Sequence, residues 1–423
     1  MSTTTLTKQE LLEELLTELD VSPDAYKTAK KRYESLSEWL TGPSAHCRAH
    51  APYVYPQGSF RLGTVIKPIN PKEDFDLDLG CRLQKGVTKS THTQKQLKNL
   101  VGLDLEAYRK AKGIEKPLKP HHRCWRLEYS DSPYNFHLDA VPSIPEDTTR
   151  RTELKGAIAR HLNINEAAAG NLADHTGAIT DDRNKNYAII DPNWRVSNSE
   201  GYALWFESRM KLATSVLNER IATAKLARID DLPVYEWKTP LQRVVQILKR
   251  HRDMMFQRNP DSAPISIILT TLAGLAYAGQ TDVATALEAV LANMRNFVRE
   301  QTPRVPNPVN PKEDFADRWY DAAKSHLKLE DNFWKWLKQA QQDFAALAAT
   351  EDATLFEQTA TASFGAKLPK RLGQIRHKAD LVRKAGLIGA GAHTSAAGVL
   401  GSVGVANLPH KFYGDQVHPD QAR

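Results

Sequence analysis

Apolar side chains first recur at helical spacing near the amino end, where Leu11, Leu12, Leu15, Leu16 and Leu19 alternate with acids and Thr7 with Glu10 has capping-box spacing. This predicts an amphipathic helix over 8–20. Ser22-Pro23 then offers a cap followed by proline at the first helical position, which predicts a second helix from Pro23 to Leu40 before the turn signal Gly42-Pro43. From Tyr53 to Leu83 the pattern shortens to β-type runs, Tyr53 to Tyr55, Leu62 to Ile66 and Phe75 to Leu83. Arg123 to Tyr129 and Tyr134 to Val141 continue it across the turn Ser130 to Pro133. One antiparallel or mixed sheet is expected.

Beyond about residue 200 the pattern is helical. Its clearest element begins at Thr239-Pro240, with Thr239 and Gln242 in a capping box and an apolar stripe of Leu241, Val244, Val245 and Leu248. The most apolar stretch, Pro264 to Gly279, is shorter than the roughly 20 residues that span a bilayer, and Ser266, Thr270 and Thr271 interrupt it, so it reads as a buried helix. Four prolines between Pro303 and Pro311 predict an extended connector. Residues 385–407 are Gly/Ala-rich and read as a flexible loop, and no internal repeat is visible. The expected organisation is amino-terminal helices over 1–50, a sheet-bearing core over 51–200, a helical domain over 201–384, and a Gly/Ala-rich loop and tail over 385–423.

Composition narrows the class. With 41% apolar and 25% charged residues in 423, the chain can fill two or three packed domains, and disorder throughout is excluded. The net charge of +7 is too mild for a nucleic-acid coat and leaves polyanionic ligands open. Three scattered cysteines, Cys47, Cys81 and Cys124, make no disulfide scaffold, and the charged first forty residues lack a signal-peptide core. A cytoplasmic protein without a membrane anchor is expected.

Candidate chemistry concentrates in Gln57-Gly58-Ser59-Phe60 and Phe75-Asp76-Leu77-Asp78-Leu79. Strand alternation projects Asp76 and Asp78 to one side while Phe75, Leu77 and Leu79 enter the core. Two carboxylates at one point call for a cation, and hard oxygen ligands select Mg²⁺, with Mn²⁺ as substitute. Gly58 lets the backbone approach a phosphate, to which the Ser59 hydroxyl and the turn amides can donate. Asp139, in Phe136-His137-Leu138-Asp139-Ala140-Val141-Pro142, supplies a third acid in the same alternation. Asp74 would share the face as an outer, nonessential member. His121, His122, Cys124 and Cys81 lack the paired spacing of a zinc site. The basic tract Lys367 to Lys384 reads as a solvated helix face, nucleic acid or an acidic partner being its alternative, and without interleaved aromatics it offers no base stacking.

These motifs resemble the polymerase-β-type nucleotidyltransferase superfamily. Together with Trp237 to Gln242, Leu248-Lys249-Arg250-His251-Arg252-Asp253 and Asn307-Pro308-Val309-Asn310-Pro311, they resemble bacterial cGAS/DncV-like nucleotidyltransferases (CD-NTases) over roughly residues 50 to 320. The resemblance implies an α+β fold, a polymerase-β-like core with a mixed sheet plus a helical carboxy-terminal half. It implies a cyclic-oligonucleotide synthase of CBASS antiphage signalling, with two Mg²⁺ ions on Asp76, Asp78 and Asp139, and ATP or other NTPs as substrate. The triphosphate contacts map onto Gln57, Gly58, Ser59, Lys249 and Ser266, and Trp194 to Asn198 with Gly201-Tyr202 resembles a segment lining the base pocket. The implied product is an adenine-containing ring of two to four nucleotides. A HORMA-type or other activating protein and a nucleotide-gated effector are the implied partners. A template-independent RNA-tailing transferase would use the same acids on a polymer-binding surface, and a catalytically silent nucleotide-binding protein would typically have lost one.

Overall fold

The computed structural model describes residues 16–17, 19–70, 73–130, 135–213, 238–350 and 353–365, together with three two-residue strands at 393–394, 400–401 and 405–406. Residues Leu15–Gly365 form one compact unit, and the terminal segments Met1–Glu14 and Ala366–Arg423 form a second. Within the second, the three short strands pair antiparallel with the middle place held by His393–Thr394. The basic tract, Trp237 and most of the first expected helix lie outside the described residues.

The large unit is built on one mixed sheet. Strands β1 (Pro52–Pro56), β2 (Phe75–Leu83), β3 (Lys119–Pro120), β4 (Trp125–Tyr129) and β5 (Phe136–Pro145) stand in the order β1-β2-β5-β4-β3. β2 and β5 run parallel, the other pairs antiparallel. β6 (Gly177–Ile179) joins the far half of β5 and carries β7 (Arg195–Ser197). Because side chains alternate, Leu77, Leu79, Cys81 and Leu83 of β2 and Leu138 and Ala140 of β5 fill one core, closed by α1 (Pro23–Thr41) and α3 (Gln94–Ala111). The opposite face carries the acids.

Local signals explain the elements. The Ser22 hydroxyl accepts from the Ala25 amide at 3.3 Å and Pro23 opens α1, as expected. The strand expected over Leu62 to Ile66 does not form. Gly58–Leu62 makes one helical turn, α2, ended by Gly63 at φ +66°, and the chain beyond it is stripped of strand partners. Its carbonyls are taken instead by α7 (Pro240–Met255), the helix that Thr239 and Gln242 cap. Gln242 Nε2 donates to Leu62 O at 2.9 Å, Gln246 Nε2 to Val65 O at 2.7 Å and Lys249 Nζ to Thr64 O at 3.0 Å, and Arg250 donates to Lys67 O. The predicted stripe Leu241, Val244, Val245 and Leu248 is buried beside them. The apolar run becomes α8 (Ser266–Ala276), also buried. The proline-rich connector is more ordered than expected: Pro306–Asn307 and Asn310–Asp314 pair as an antiparallel hairpin, β8 and β9. Among the described residues no helix is long and apolar enough to cross a membrane.

Replacing Gln246 by Ala strands the Val65 carbonyl in the interior, so a loss of about 1–3 kcal/mol in urea unfolding is expected. An unchanged midpoint would show that another donor takes over that carbonyl.

Candidate active site

The parallel register sets Asp78 beside Asp139 and Asp76 beside His137, so the three acids share the polar face of two adjacent strands. β1 brings the glycine-serine turn to them. The Gln57 amide donates to Asp78 O at 2.8 Å, extending the β1–β2 ladder by one bond, and Gly58 follows at φ +63° directly over the carboxylate. A Cβ on Gly58 would lie 2.1 Å from Asp78 Oδ2, so only glycine lets the turn sit there. Ser59 is half-buried in the first turn of α2.

The acids are electrostatically uncomfortable. Loss of hydration raises the Asp78 carboxyl to about 7, and the charges of Asp76 and Asp139 add to the shift. Asp76 is raised by lost hydration and by Asp139, against the pull of Arg126 and His137. Clustered hard-oxygen donors with an unmet need for positive charge fit Mg²⁺, and Asp76, Asp78 and Asp139 are the residues that would hold it. As the side chains stand, no group of three His, Cys, Asp or Glu among the described residues closes into a cage. Asp139 is engaged elsewhere: Arg126 of β4 grips both its oxygens at 2.7 Å. Asp74 is held by His137 Nε2 at 2.5 Å, outside the trio.

Lys249 comes from the helical side. It is 6% exposed, its ammonium rests on Thr64 O, and the Asp78 charge reaches it. Burial and the neighbouring Arg252 lower it to about 8. Ser266 occupies the first position of α8, which Ile265 precedes without a side-chain capping bond. Its hydroxyl accepts from Arg252 Nη2 at 3.2 Å, and Arg252 Nη1 also donates to Pro264 O at 2.5 Å. Arg252 is a cation the sequence reading passed over, one helical turn beyond Lys249 on the same helix.

The 194–202 segment continues the sheet beyond the far half of β5. It forms β7 and the start of α6 (Ser199–Met210), which the Asn198 side chain caps on the Gly201 amide. Arg195 and Val196 line a cavity of about 470 Å³ against Asn310 to Asp314, and Arg195 Nη2 meets Glu313 at 2.9 Å across it. None of the three acids, Lys249 or Ser266 lines that cavity. His122 is held by Asp182 at 2.9 Å, and Cys81 lies in the core beneath the sheet.

Comparison with known proteins decides the family. Residues 52–142 match the model of the nucleotidyltransferase domain of DncV-like cyclic GMP-AMP synthases. The c-di-GMP synthase of Roseivirga ehrenbergii is 32% identical over 346 residues, which cover 78% of this chain and 80% of that protein. The chain is a DncV-like nucleotidyltransferase. The cyclic dinucleotide synthase CdnG of Bradyrhizobium diazoefficiens is 24% identical over 328 residues, 73% of this chain and 69% of that protein. The structure of B. diazoefficiens CdnG in complex with GTP shares the fold at a TM-score of 0.61, with 20% identity over 89% of this chain and all of that one. The CdnC:HORMA-deltaN complex of Escherichia coli MS115-1 does so at 0.54, with 13% identity over 85% of this chain and 98% of that one. CD-NTases are metal-dependent cyclic-oligonucleotide synthases, and the mixed sheet with a helical half is their polymerase-β-type architecture.

Two measurements test the electrostatics. A carboxyl that titrates at about 7 when folded and near 3.8 when unfolded supports stability below pH 4 and loses that support as pH rises through 7. Metal-free Asp78→Asn is therefore expected to melt above the parent at pH 8 and to converge with it near pH 4; equal melting curves at both pH values would remove the burial and charge crowding inferred for Asp78.

Lys249 gives the opposite sign. An ammonium lowered to about 8 is partly neutral at pH 8.5, and a bound triphosphate favours its charged form. GTP binding at that pH should take up protons, seen as a calorimetric enthalpy that depends on the buffer's ionisation heat, and Lys249→Met should abolish the dependence. A buffer-independent enthalpy in the parent would place Lys249 away from the phosphates.

Proposed function

We propose that this chain joins two GTP molecules into a cyclic dinucleotide, with Asp76, Asp78 and Asp139 as the acids of the transfer site. The observation that carries the site is the Asp78–Asp139 register under the Gly58 turn. What favours guanine over the adenine-containing product implied by the sequence resemblance is the relative named as a c-di-GMP synthase, which is similar over most of both chains.

Each side chain then has a distinct task. Backbone amides at Gly58 and Ser59, with the Ser59 hydroxyl, hold phosphate oxygens close to Asp78, where glycine alone permits the approach. Lys249 adds a point charge that acts on ground and transition states alike, so it chiefly tightens binding. Ser266, steadied by Arg252, offers a hydroxyl at the start of α8, a helix end that favours anions. When bound by the three acids, Mg²⁺ or Mn²⁺ supplies charge neutralisation at the phosphates and acidifies the attacking ribose hydroxyl. With Lys249 on Thr64 O and within reach of the Asp78 charge, α7 closes one side of the site, which would hold the linear intermediate close to its own retained triphosphate and favour ring closure over release. A HORMA-type activating protein, the E. coli neighbour being a complex with HORMA-deltaN, and an effector gated by the product are the partners of this reading.

The test incubates the purified chain with each NTP singly and in pairs, with Mg²⁺ or Mn²⁺, and identifies phosphatase-resistant products by mass spectrometry. A cyclic product of two guanylates from GTP alone is expected, and Asp76→Ala or Asp139→Ala should reduce it at least about 10²-fold. A product that requires ATP overturns the guanine assignment. Long phosphatase-sensitive strands grown on added RNA overturn cyclisation in favour of tailing.

A further inference from the structure

The Asp139 carboxylate is already occupied. Arg126 stands opposite it in the β4–β5 register, on the same face of the sheet, and its Nε and Nη2 donate to Oδ1 and Oδ2, both at 2.7 Å. This is the two-pronged planar grip that makes arginine–carboxylate pairs stronger than single charge contacts. The pair is largely shielded, with Arg126 25% and Asp139 16% exposed, and the guanidinium is further steadied by His137 Nδ1 at 3.4 Å. Its charge also reaches Asp76 and Asp78, where it opposes the rise that lost hydration and neighbouring carboxylates impose. Arg126 thus does electrostatically what a metal ion would do for the three acids: it offsets a negative cluster that would otherwise repel itself.

We propose that Arg126 is a positioning residue that serves as the resident counter-ion of the acid trio, so that a divalent cation reaches Asp139 only by loosening the Arg126 fork. The proposal rests on the trio being the metal site, and it adds that metal affinity is set by competition with an internal cation. Two features make the competition direct. Both carboxylate oxygens are engaged at once, so no oxygen of Asp139 is free of the guanidinium, and a fixed positive charge beside the site repels a dication. The pairing also explains why the acids share a face without forming a closed cage: the Asp139 carboxylate leans across from β5 to Arg126 on β4.

The experiment measures Mn²⁺ binding to the full chain without nucleotide, by the electron paramagnetic resonance of free Mn²⁺, in the parent and in Arg126→Gln, Asp139→Asn, Asp78→Asn and the double variant Arg126→Gln/Asp139→Asn. Removing the fork is expected to tighten Mn²⁺ binding roughly tenfold when Asp139 is present, and by less than about twofold when residue 139 is asparagine. Mn²⁺ should also raise the melting temperature of Arg126→Gln more than that of the parent. If Arg126→Gln does not fold, as judged by near-ultraviolet circular dichroism, Arg126→Lys carries the test; it keeps a charge but cannot bridge both oxygens, and at least about threefold tighter binding is expected. A folded Arg126 variant that binds Mn²⁺ no more tightly than the parent overturns the counter-ion role, provided Asp78→Asn and Asp139→Asn weaken binding. If neither aspartate substitution weakens binding, the metal trio itself is wrong and the proposal falls with it.

Discussion

The site depends on a row of side-chain donors from one helix closing on the bare backbone of another segment. Residues 62–67 leave the α2 turn without a strand partner, and Gln242, Gln246, Lys249 and Arg250 supply what a neighbouring strand would have supplied. These positions recur at spacings of four, three and one, a single polar stripe beside the buried apolar one. Buried carbonyls demand partners, so the stripe fixes the height and rotation of α7 against the phosphate turn. Lys249 belongs both to the structural row and to the candidate site, which ties the placement of its charge to the packing of the two halves.

The acid face is where the remaining stress collects. Three carboxylates lie on two adjacent strands, with a glycine pressed over one and an arginine folded onto another. The same alternation that sends Leu77 and Leu138 into the core forces Asp76, Asp78 and Asp139 to the other side, so the strong apolar core holds the repelling groups together. A fold with a weaker sheet would let them drift apart. Lost hydration first, and then the charges of Asp76 and Asp139, raise the Asp78 carboxyl held there.

Much of this was legible from residue order because it follows from short-range periodicity. Alternation along 75–79 and 136–142 gave both acid-bearing strands and their faces, and the Thr239–Gln242 box gave the start of α7. What was not legible came from long-range pairing. The apolar pattern of Leu62 to Ile66 looks like a strand, but whether such a run joins a sheet depends on a free edge nearby, and here side chains from α7 took the carbonyls first. Arg126 was missed for a related reason. A turn centred on Ser130 to Pro133 would pair it with His137, while the observed register is shifted by two residues and pairs it with Asp139. Helix α3 carries its own capping box at Thr93 and Gln96, a local signal that was available in the sequence.

The parallel pairing of β2 with β5 also has a consequence in time. Parallel neighbours cannot be joined by a tight turn, so the chain between Leu83 and Phe136 must lay down α3, β3 and β4 before Asp78 acquires Asp139 as its neighbour. Lys249 lies more than a hundred residues further on. During synthesis the ribosome therefore releases the glycine turn and its first two acids long before the residues that complete the cleft. A nascent chain that ends before β4 carries Asp76 and Asp78 without Arg126, one that ends before α7 carries all three acids without Lys249, and the cleft is complete only once the helical half has emerged and docked.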